Sequence, residues 1–167
     1  PISIVNGIKF SSHEFDFYSP RFDMIEGHHH ILAFTCAAIE QIAFLPPSFF
    51  NDIFNMAEKV TLIFFEPIGW QRSIKRSRFY LKSYFDELGG KKHPVLWHRS
   101  NFVYKFDNDN FLENAMSWAL RSRYNINLLS LIKSCSESKK AKLTRLDYDI
   151  YSGNPLNPYS LVVLKKY

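Results

Sequence analysis

Apolar and polar positions divide the chain into short strand-like and helix-like runs. Two compact apolar runs, residues 22–26 and 60–65, are rich in β-forming residues, and each ends at a turn residue, which predicts two strands. Residues 33–45 and 49–59, which lie between them, have the spacing of helices. Strands joined by such a crossover run parallel. The pattern therefore predicts an α/β fold with two adjacent parallel strands at its centre.

The next part of the chain predicts a long insertion followed by two helices. Residues 72–107 begin with a helical stripe and continue as an aromatic, irregular stretch. This stretch is too long for an ordinary connection between elements, so we interpret it as a cap-like helical insert. A helix is predicted from Phe111. Its apolar pattern is interrupted and begins again at Leu128, which predicts the second helix.

Both ends of the chain predict further strands. Ile2–Val5 is a short apolar run that is followed by the turn residues Asn6 and Gly7. Residues 143–151 and 159–164 alternate around a proline-containing turn, which predicts an antiparallel hairpin. We expect its second strand to lie antiparallel beside the strand at 60–65.

Composition supports a single folded domain over residues 1–167. The chain has 46% hydrophobic and 17% aromatic residues, which makes disorder unlikely. It contains no apolar run of about 18–20 residues, so we expect no membrane span, and no signal peptide is visible. Cys36 and Cys135 both fall in helical patterns, which favours buried free thiols and a cytoplasmic protein.

The net charge of +5 is unevenly distributed. Between Arg72 and Arg99 the sequence has eight basic residues against Asp86 and Glu87. Such an excess is typical either of a solvated helix face or of a site for an anionic acceptor. A basic, aromatic insert also leaves nucleic-acid binding open as an alternative.

Three consecutive histidines are the most unusual local feature. His28, His29 and His30 follow the first predicted strand, and histidine serves as a general base near neutral pH. Adjacent residues do not all point into one cavity, and no matching ligand cluster follows, so we predict no metal site. One of the three is a candidate catalytic base. The alternative is that one of them packs against or caps the following element.

A second polar cluster follows the second predicted strand. Glu66, Trp70 and Gln71 belong to a rigid turn there and are candidate substrate-binding residues. The alternative is that Glu66 caps backbone amides and Trp70 belongs to the core. Because parallel neighbours end at the same edge of a sheet, we expect this turn and the histidines to share that edge.

The segment around residues 124–127 supplies the last candidate site residues. Tyr124, Asn125 and Asn127 interrupt two helical runs. They predict either polar groups of a pocket or a simple break between helices.

Four sequence segments, in this order, resemble the latter part of class I S-adenosylmethionine-dependent methyltransferases: FDMIEGHHHILAF, VTLIFFEPIGWQ, SRYNINLLSLI and GNPLNPYSLVVLKK. FDMI resembles the fourth strand of that family and VTLIFFEP the fifth, while the final hairpin resembles the sixth strand and the antiparallel seventh. The closest resemblance is to a bacterial group that carries an EPxGWQ turn, a YNxNLL segment and an NPxNPxS hairpin.

The resemblance implies a partial Rossmann-like methyltransferase sheet, with S-adenosylmethionine as cofactor and an oxygen or nitrogen of a small molecule as acceptor. It also implies a cofactor contact near Asn6 and Gly7, with Ile8 in the place of the family's acidic residue, and a second contact near Glu26 and Gly27. The family's first strand and Gly-rich loop have no counterpart in this sequence. We therefore expect the 167-residue chain alone to bind the cofactor weakly or not at all. The alternative is a non-catalytic binding or partner subunit with the same sheet.

Overall fold

The computed structural model describes residues 2–5, 8–11, 13–22, 27–76, 111–152 and 156–167. Within these ranges the chain forms six strands and three α-helices. The strands are β1 (Ile2–Val5), β2 (Ile8–Ser11), β3 (His30–Cys36), β4 (Lys59–Glu66), β5 (Lys142–Tyr151) and β6 (Tyr159–Lys166). The helices are α1 (Phe49–Asn55), α2 (Phe111–Arg121) and α3 (Leu128–Glu137), and the short 3₁₀ helices are Ile39–Gln41 and Gly69–Arg76.

The main sheet has four strands in the order β3-β4-β6-β5. Strands β3 and β4 are parallel, whereas β6 is antiparallel to both of its neighbours. The predicted α/β class and the antiparallel last strand beside β4 are therefore confirmed. A parallel pair joined by a crossover is also present, but its first strand is not the predicted one. Strands β1 and β2 form a separate antiparallel pair.

One face of the main sheet carries the principal core. Side chains alternate along β4, so Val60, Leu62 and Phe64 are buried on this face. Helices α1 and α3 cover it, and they contribute Phe50 and Ile132 to the same cluster. Burying each of these large apolar side chains stabilises the fold by about 1.5–3 kcal/mol.

The first strand of the parallel pair lies later in the chain than predicted. Residues 33–45 do not form a helix, because the segment from His30 to Cys36 pairs with β4 from Lys59 to Phe65. Only Ile39–Gln41 is helical in that region. The predicted strand at 22–26 lies outside the described residues apart from Phe22, whose ring packs 5.6 Å from that of Phe15.

The new position of β3 also corrects the prediction for one cysteine. Cys36 ends a strand and is exposed, whereas Cys135 is a buried free thiol in α3, as predicted. Burial raises the pKa of the Cys135 thiol above its ordinary value.

The remaining elements match the sequence pattern closely. Helices begin at Phe111 and Leu128 as predicted, and α3 continues to Glu137. Helix α1 begins at Phe49 but ends at Asn55, because β4 begins four residues later, at Lys59. Most of the predicted insert at 72–107 lies outside the described residues; its first five residues belong to the 3₁₀ helix Gly69–Arg76.

Candidate functional site

The carboxyl ends of β3 and β4 lie together at one edge of the sheet. Cys36 at the end of β3 is in register with Phe65, one residue before the end of β4. The antiparallel β6 begins at this edge, where Tyr159 pairs with Tyr151 of β5. We call this the carboxyl-end edge. Loops that leave parallel strands at such an edge commonly carry the binding residues of α/β proteins.

The three histidines lie at the opposite edge. His30 is the first residue of β3 and pairs with Lys59, the first residue of β4. His28, His29 and His30 are exposed, and the His29 imidazole lies 3.7 Å from the Glu58 carboxylate. The prediction that the histidines share an edge with residues 66–71 is therefore wrong, because β3 begins where it was expected to have ended. The base interpretation loses its geometric support.

Glu66 is the buried end of β4 and holds the turn that follows β3. Its side-chain oxygens accept hydrogen bonds from the backbone N–H groups of Ala38, Ile39 and Glu40 at 3.1, 3.2 and 3.2 Å. Burial raises the pKa of the Glu66 carboxyl, and the three amides oppose that rise. The capping alternative for Glu66 is thus realised, with amides that belong to a different loop.

Glu40 lies next to Glu66 and is absent from the sequence predictions. It is buried, with 8% of its surface exposed. One carboxylate oxygen accepts a bond from Gln41 Nε2 and the other from Asn157 Nδ2, both at 3.0 Å. Its partner Asn157 is 117 positions away in the sequence, so only the folded sheet brings the pair together. The signal that could have found Glu40 is a charged residue in the short turn that follows an apolar strand, which requires the end of β3 at Cys36 to be placed correctly.

Gln71 and Asn125 connect the loops behind these carboxyl groups. Gln71 Nε2 donates to the Asn125 carbonyl oxygen at 2.7 Å, and its Oε1 accepts from the Leu129 N–H at 2.8 Å. The Asn125 side chain donates to the Ile42 carbonyl oxygen and accepts from the N–H of Leu128. Both side chains therefore use their hydrogen-bonding groups to fix neighbouring backbone segments.

Asn127 has the same kind of role. Its side chain accepts from the Leu45 N–H at 3.0 Å and donates to the Leu45 carbonyl oxygen at 2.8 Å. Like Gln71 and Asn125, it fixes the walls of the site through bonds to backbone.

Trp70 belongs to a second core cluster. It is 2% exposed and packs with Met116 and Ala119 of α2. Trp70 is therefore a core residue, which was the alternative to a substrate-binding role. Tyr124 is half-buried beside the cluster, and its ring meets that of Trp118 edge to face at 5.2 Å.

Tyr124 also lies near the two carboxyl groups. It lines a narrow crevice together with Glu40, Glu66 and Gln71, and the crevice has no room for a water molecule. Burial raises the pKa of the Tyr124 hydroxyl, and the negative charge of Glu40 raises it further. Of the predicted substrate-binding residues, Glu66, Gln71, Tyr124 and Asn125 are thus brought to one crevice.

Arg72 belongs to the 3₁₀ helix Gly69–Arg76 and is held by a contact with β5. Its guanidinium bonds to the Asp149 carboxylate and the Gly69 carbonyl oxygen, and lies 4.4 Å from the centre of the Tyr148 ring. Asp149 has a positive φ of 56° and approaches Gly69 so closely that an added Cβ there would lie 1.8 Å from Oδ1. This contact explains the glycine in the turn.

The predicted cofactor-binding residues are only partly described. Asn6, Gly7 and Glu26 lie outside the described residues. Gly27 is exposed, has a φ of 85° and precedes the amino end of β3, so it lies away from the carboxyl-end edge.

Among the described residues, no group of three His, Cys, Asp or Glu side chains is arranged to hold a metal ion. None of the described helices is long and apolar enough to cross a bilayer. Comparison with models of protein families, with curated proteins and with solved structures finds no match for this chain.

Proposed function

We propose that this chain forms the acceptor-binding part of an S-adenosylmethionine-dependent methyltransferase that acts on an oxygen or nitrogen of a small molecule. The observation that carries the proposal is the strand order β3-β4-β6-β5, in which β3 and β4 are parallel and the final strand is inserted antiparallel between β4 and β5. The resemblance in the sequence implies a fourth, a fifth, a seventh and a sixth strand in these places. In this proposal His30–Cys36, rather than residues 22–26, takes the place of the fourth strand.

The position of the polar groups gives additional support. Glu40, Glu66 and Tyr124 all lie at the carboxyl-end edge, where α/β proteins bind their ligands. The bonds made by Gln71, Asn125 and Asn127 hold the surrounding loops in place before any ligand arrives. Prior positioning of this kind is the main contribution that a protein makes to transfer of an already activated group.

The described residues do not fit the whole cofactor. The sequence has no Gly-rich loop for the methionine end, and Gly27 lies away from the carboxyl-end edge. When bound, the cofactor supplies an activated methyl group. We assign this chain the task of binding and orienting the acceptor, and we derive no step through the cofactor.

A non-catalytic partner subunit is the second candidate. Such a subunit would keep the same sheet and bind an acceptor or another subunit at the carboxyl-end edge without transferring a methyl group. The basic segment that suggested nucleic-acid binding lies mostly outside the described residues.

The deciding experiment measures cofactor binding and turnover separately, on the product of the native gene. Calorimetry would measure S-adenosylmethionine binding, and release of S-adenosylhomocysteine would be followed with panels of small amines and alcohols. We expect acceptor-dependent release. Cofactor binding without release for any acceptor would favour the partner subunit, and absence of cofactor binding would overturn the enzyme proposal. The 167-residue chain by itself should bind the cofactor weakly or not at all, so micromolar affinity would contradict our assignment.

A further inference from the structure

Among the described strands of the main sheet, β3 and β5 are the two edge strands. Strand β5 has the features of an edge that resists pairing. Its register against β6 shifts between Leu143 and Arg145 and again between Asp147 and Tyr151. It also carries Asp149, which has a positive φ of 56°. Bulges and charged side chains of this kind keep an edge strand from pairing with another chain.

Strand β3 lacks these protective features. It runs from His30 to Cys36 in unbroken register with β4, from Lys59 to Phe65. Its seven residues, HILAFTC, include no Lys, Arg, Asp, Glu or Pro. A regular, apolar edge strand is suited to pairing with a further strand.

The backbone groups on the outer side of β3, away from β4, follow from the hydrogen bonds on its inner side. The His29 carbonyl oxygen accepts from the Lys59 N–H at 3.0 Å, and the Ala37 N–H donates to the Phe65 carbonyl oxygen at 3.2 Å. Successive residues of a strand direct their N–H and C=O groups to opposite sides, so the odd-numbered residues of β3 face β4. The groups that point outward therefore belong to His30, Leu32, Phe34 and Cys36.

Side-chain exposure indicates that this outer side is open. Leu32 and Phe34 lie on the sheet face opposite the principal core and are 64% and 74% exposed. Ile63 and Phe65 of β4 lie on the same face but are half-buried, because β4 has a neighbouring strand on each side. Two adjacent large apolar side chains at an open strand mark an interaction surface.

We propose that β3 pairs antiparallel with β3 of a second copy of this chain, so that two four-stranded sheets join into one. The partner is a second copy because the strand is complementary to itself. When Ala33 lies opposite Ala33 of the partner subunit, all seven residues overlap and every outward residue faces an outward residue. Leu32 then lies opposite the partner's Phe34, and His30 lies opposite the partner's Cys36.

This register is the best of the possible ones. A shift of one residue would place exposed side chains on the opposite face of the partner sheet, and a shift of two residues would lose hydrogen bonds at both ends. Twofold symmetry forms the pair of Leu32 with the partner's Phe34 twice. Apolar pairs of this kind contribute roughly 0.2–1 kcal/mol each, in addition to the new backbone hydrogen bonds. The inference does not depend on the proposed function, since neither cofactor nor acceptor takes part in the pairing.

Sedimentation equilibrium of the 167-residue chain under reducing conditions measures the association. We expect the mass to approach twice 19.7 kDa as the concentration rises. Leu32→Lys combined with Phe34→Lys should weaken the dimer at least about tenfold, because the apolar pairs are lost and like charges face each other. Ile150→Lys is the matched control, since Ile150 is 50% exposed on the other edge strand, β5. It should dimerise like the wild type.

Disulfide cross-linking under mild oxidation tests the register. His30→Cys should form a disulfide with Cys36 of the partner subunit, because residues directly opposite in a strand pair lie within disulfide range. The matched control combines His30→Cys with Cys36→Ser. It should not cross-link, because the two copies of position 30 would lie about 20 Å apart, at about 3.3 Å per residue.

A chain that remains a monomer at every concentration would overturn the inference, and this is the result expected if β3 pairs with a strand of a different protein. A dimer that the paired lysine substitutions leave unchanged would overturn it as well. So would His30→Cys that fails to cross-link, or that cross-links equally well when combined with Cys36→Ser. Because no cofactor or acceptor is present, absence of methyl transfer in the turnover assay would leave these results unaffected.

Discussion

Replacing Glu66 with glutamine tests how firmly the end of β4 holds the turn after β3. The carboxylate oxygens accept three backbone N–H groups, from Ala38, Ile39 and Glu40. A glutamine amide keeps a single accepting oxygen, so at least one of these N–H groups must face an NH₂ group. Leaving a buried donor unsatisfied costs about 1–3 kcal/mol. We expect Glu66→Gln to lower the free energy of unfolding by roughly that amount.

The size of this loss should depend on pH. Because burial raises the folded-state pKa of Glu66, the stability contributed by this group is fully present below its ordinary value of 4.5. It is lost as the pH rises through the raised pKa of the folded state. Glutamine does not titrate, so the difference between wild type and variant should be larger below pH 4.5 than at a pH above the raised pKa of Glu66.

Urea denaturation at several pH values measures both effects, provided that the slope against urea concentration is unchanged. Glu58→Gln is the matched control, because this glutamate is 77% exposed and its substitution should change stability by less than about 0.5 kcal/mol. A Glu66→Gln protein as stable as the wild type would refute the bonding argument. A loss that grows with rising pH would refute the direction of the pKa shift.

Three further predictions concern the surroundings of the site. Gly69→Ala should destabilise the fold by about 1–3 kcal/mol in urea denaturation, and Asp149→Gly should reduce that penalty when the two are combined, because the new Cβ would clash with the aspartate. Asn127→Ala should cost about 1–3 kcal/mol through two lost bonds to backbone, whereas the exposed Asn55→Ala should change stability by less than about 0.5 kcal/mol. In the native chain a thiol reagent should modify Cys36 rapidly and the buried cysteine of α3 slowly; equal rates would contradict the structure.

Much of the fold follows from periodicity alone. Strand β4 alternates cleanly between buried and half-buried positions, so its residues predict a strand without reference to neighbours. Strand β3 is harder, because Leu32 and Phe34 on its other face are also apolar, with 64% and 74% of their surfaces exposed. A run that is apolar on both faces, followed by small residues, resembles a buried helix as much as a strand. Pairing with β4, a long-range interaction, decides between them.

Site residues that follow a recognisable strand in the sequence could be predicted. Site residues that come together only when the sheet folds could not. Glu66 and Gln71 directly follow an evident strand, so their position at its end could be inferred. Glu40 and Asn157 become a pair only through the folded sheet. Assignment of the histidines failed for the same reason as β3, since displacing the strand moved them from its end to its beginning.

The most direct test of our account compares methyl transfer by two variants of the native gene product, with a trideuteromethyl-labelled cofactor and a small amine or alcohol as acceptor. If the carboxyl-end edge binds the acceptor, Glu40→Gln should reduce labelled product by about 10- to 100-fold at subsaturating acceptor, equivalent to one hydrogen bond to a charged group. His29→Ala should retain wild-type turnover, because that imidazole is exposed at the opposite edge. Full turnover by Glu40→Gln together with loss of turnover by His29→Ala would contradict the account.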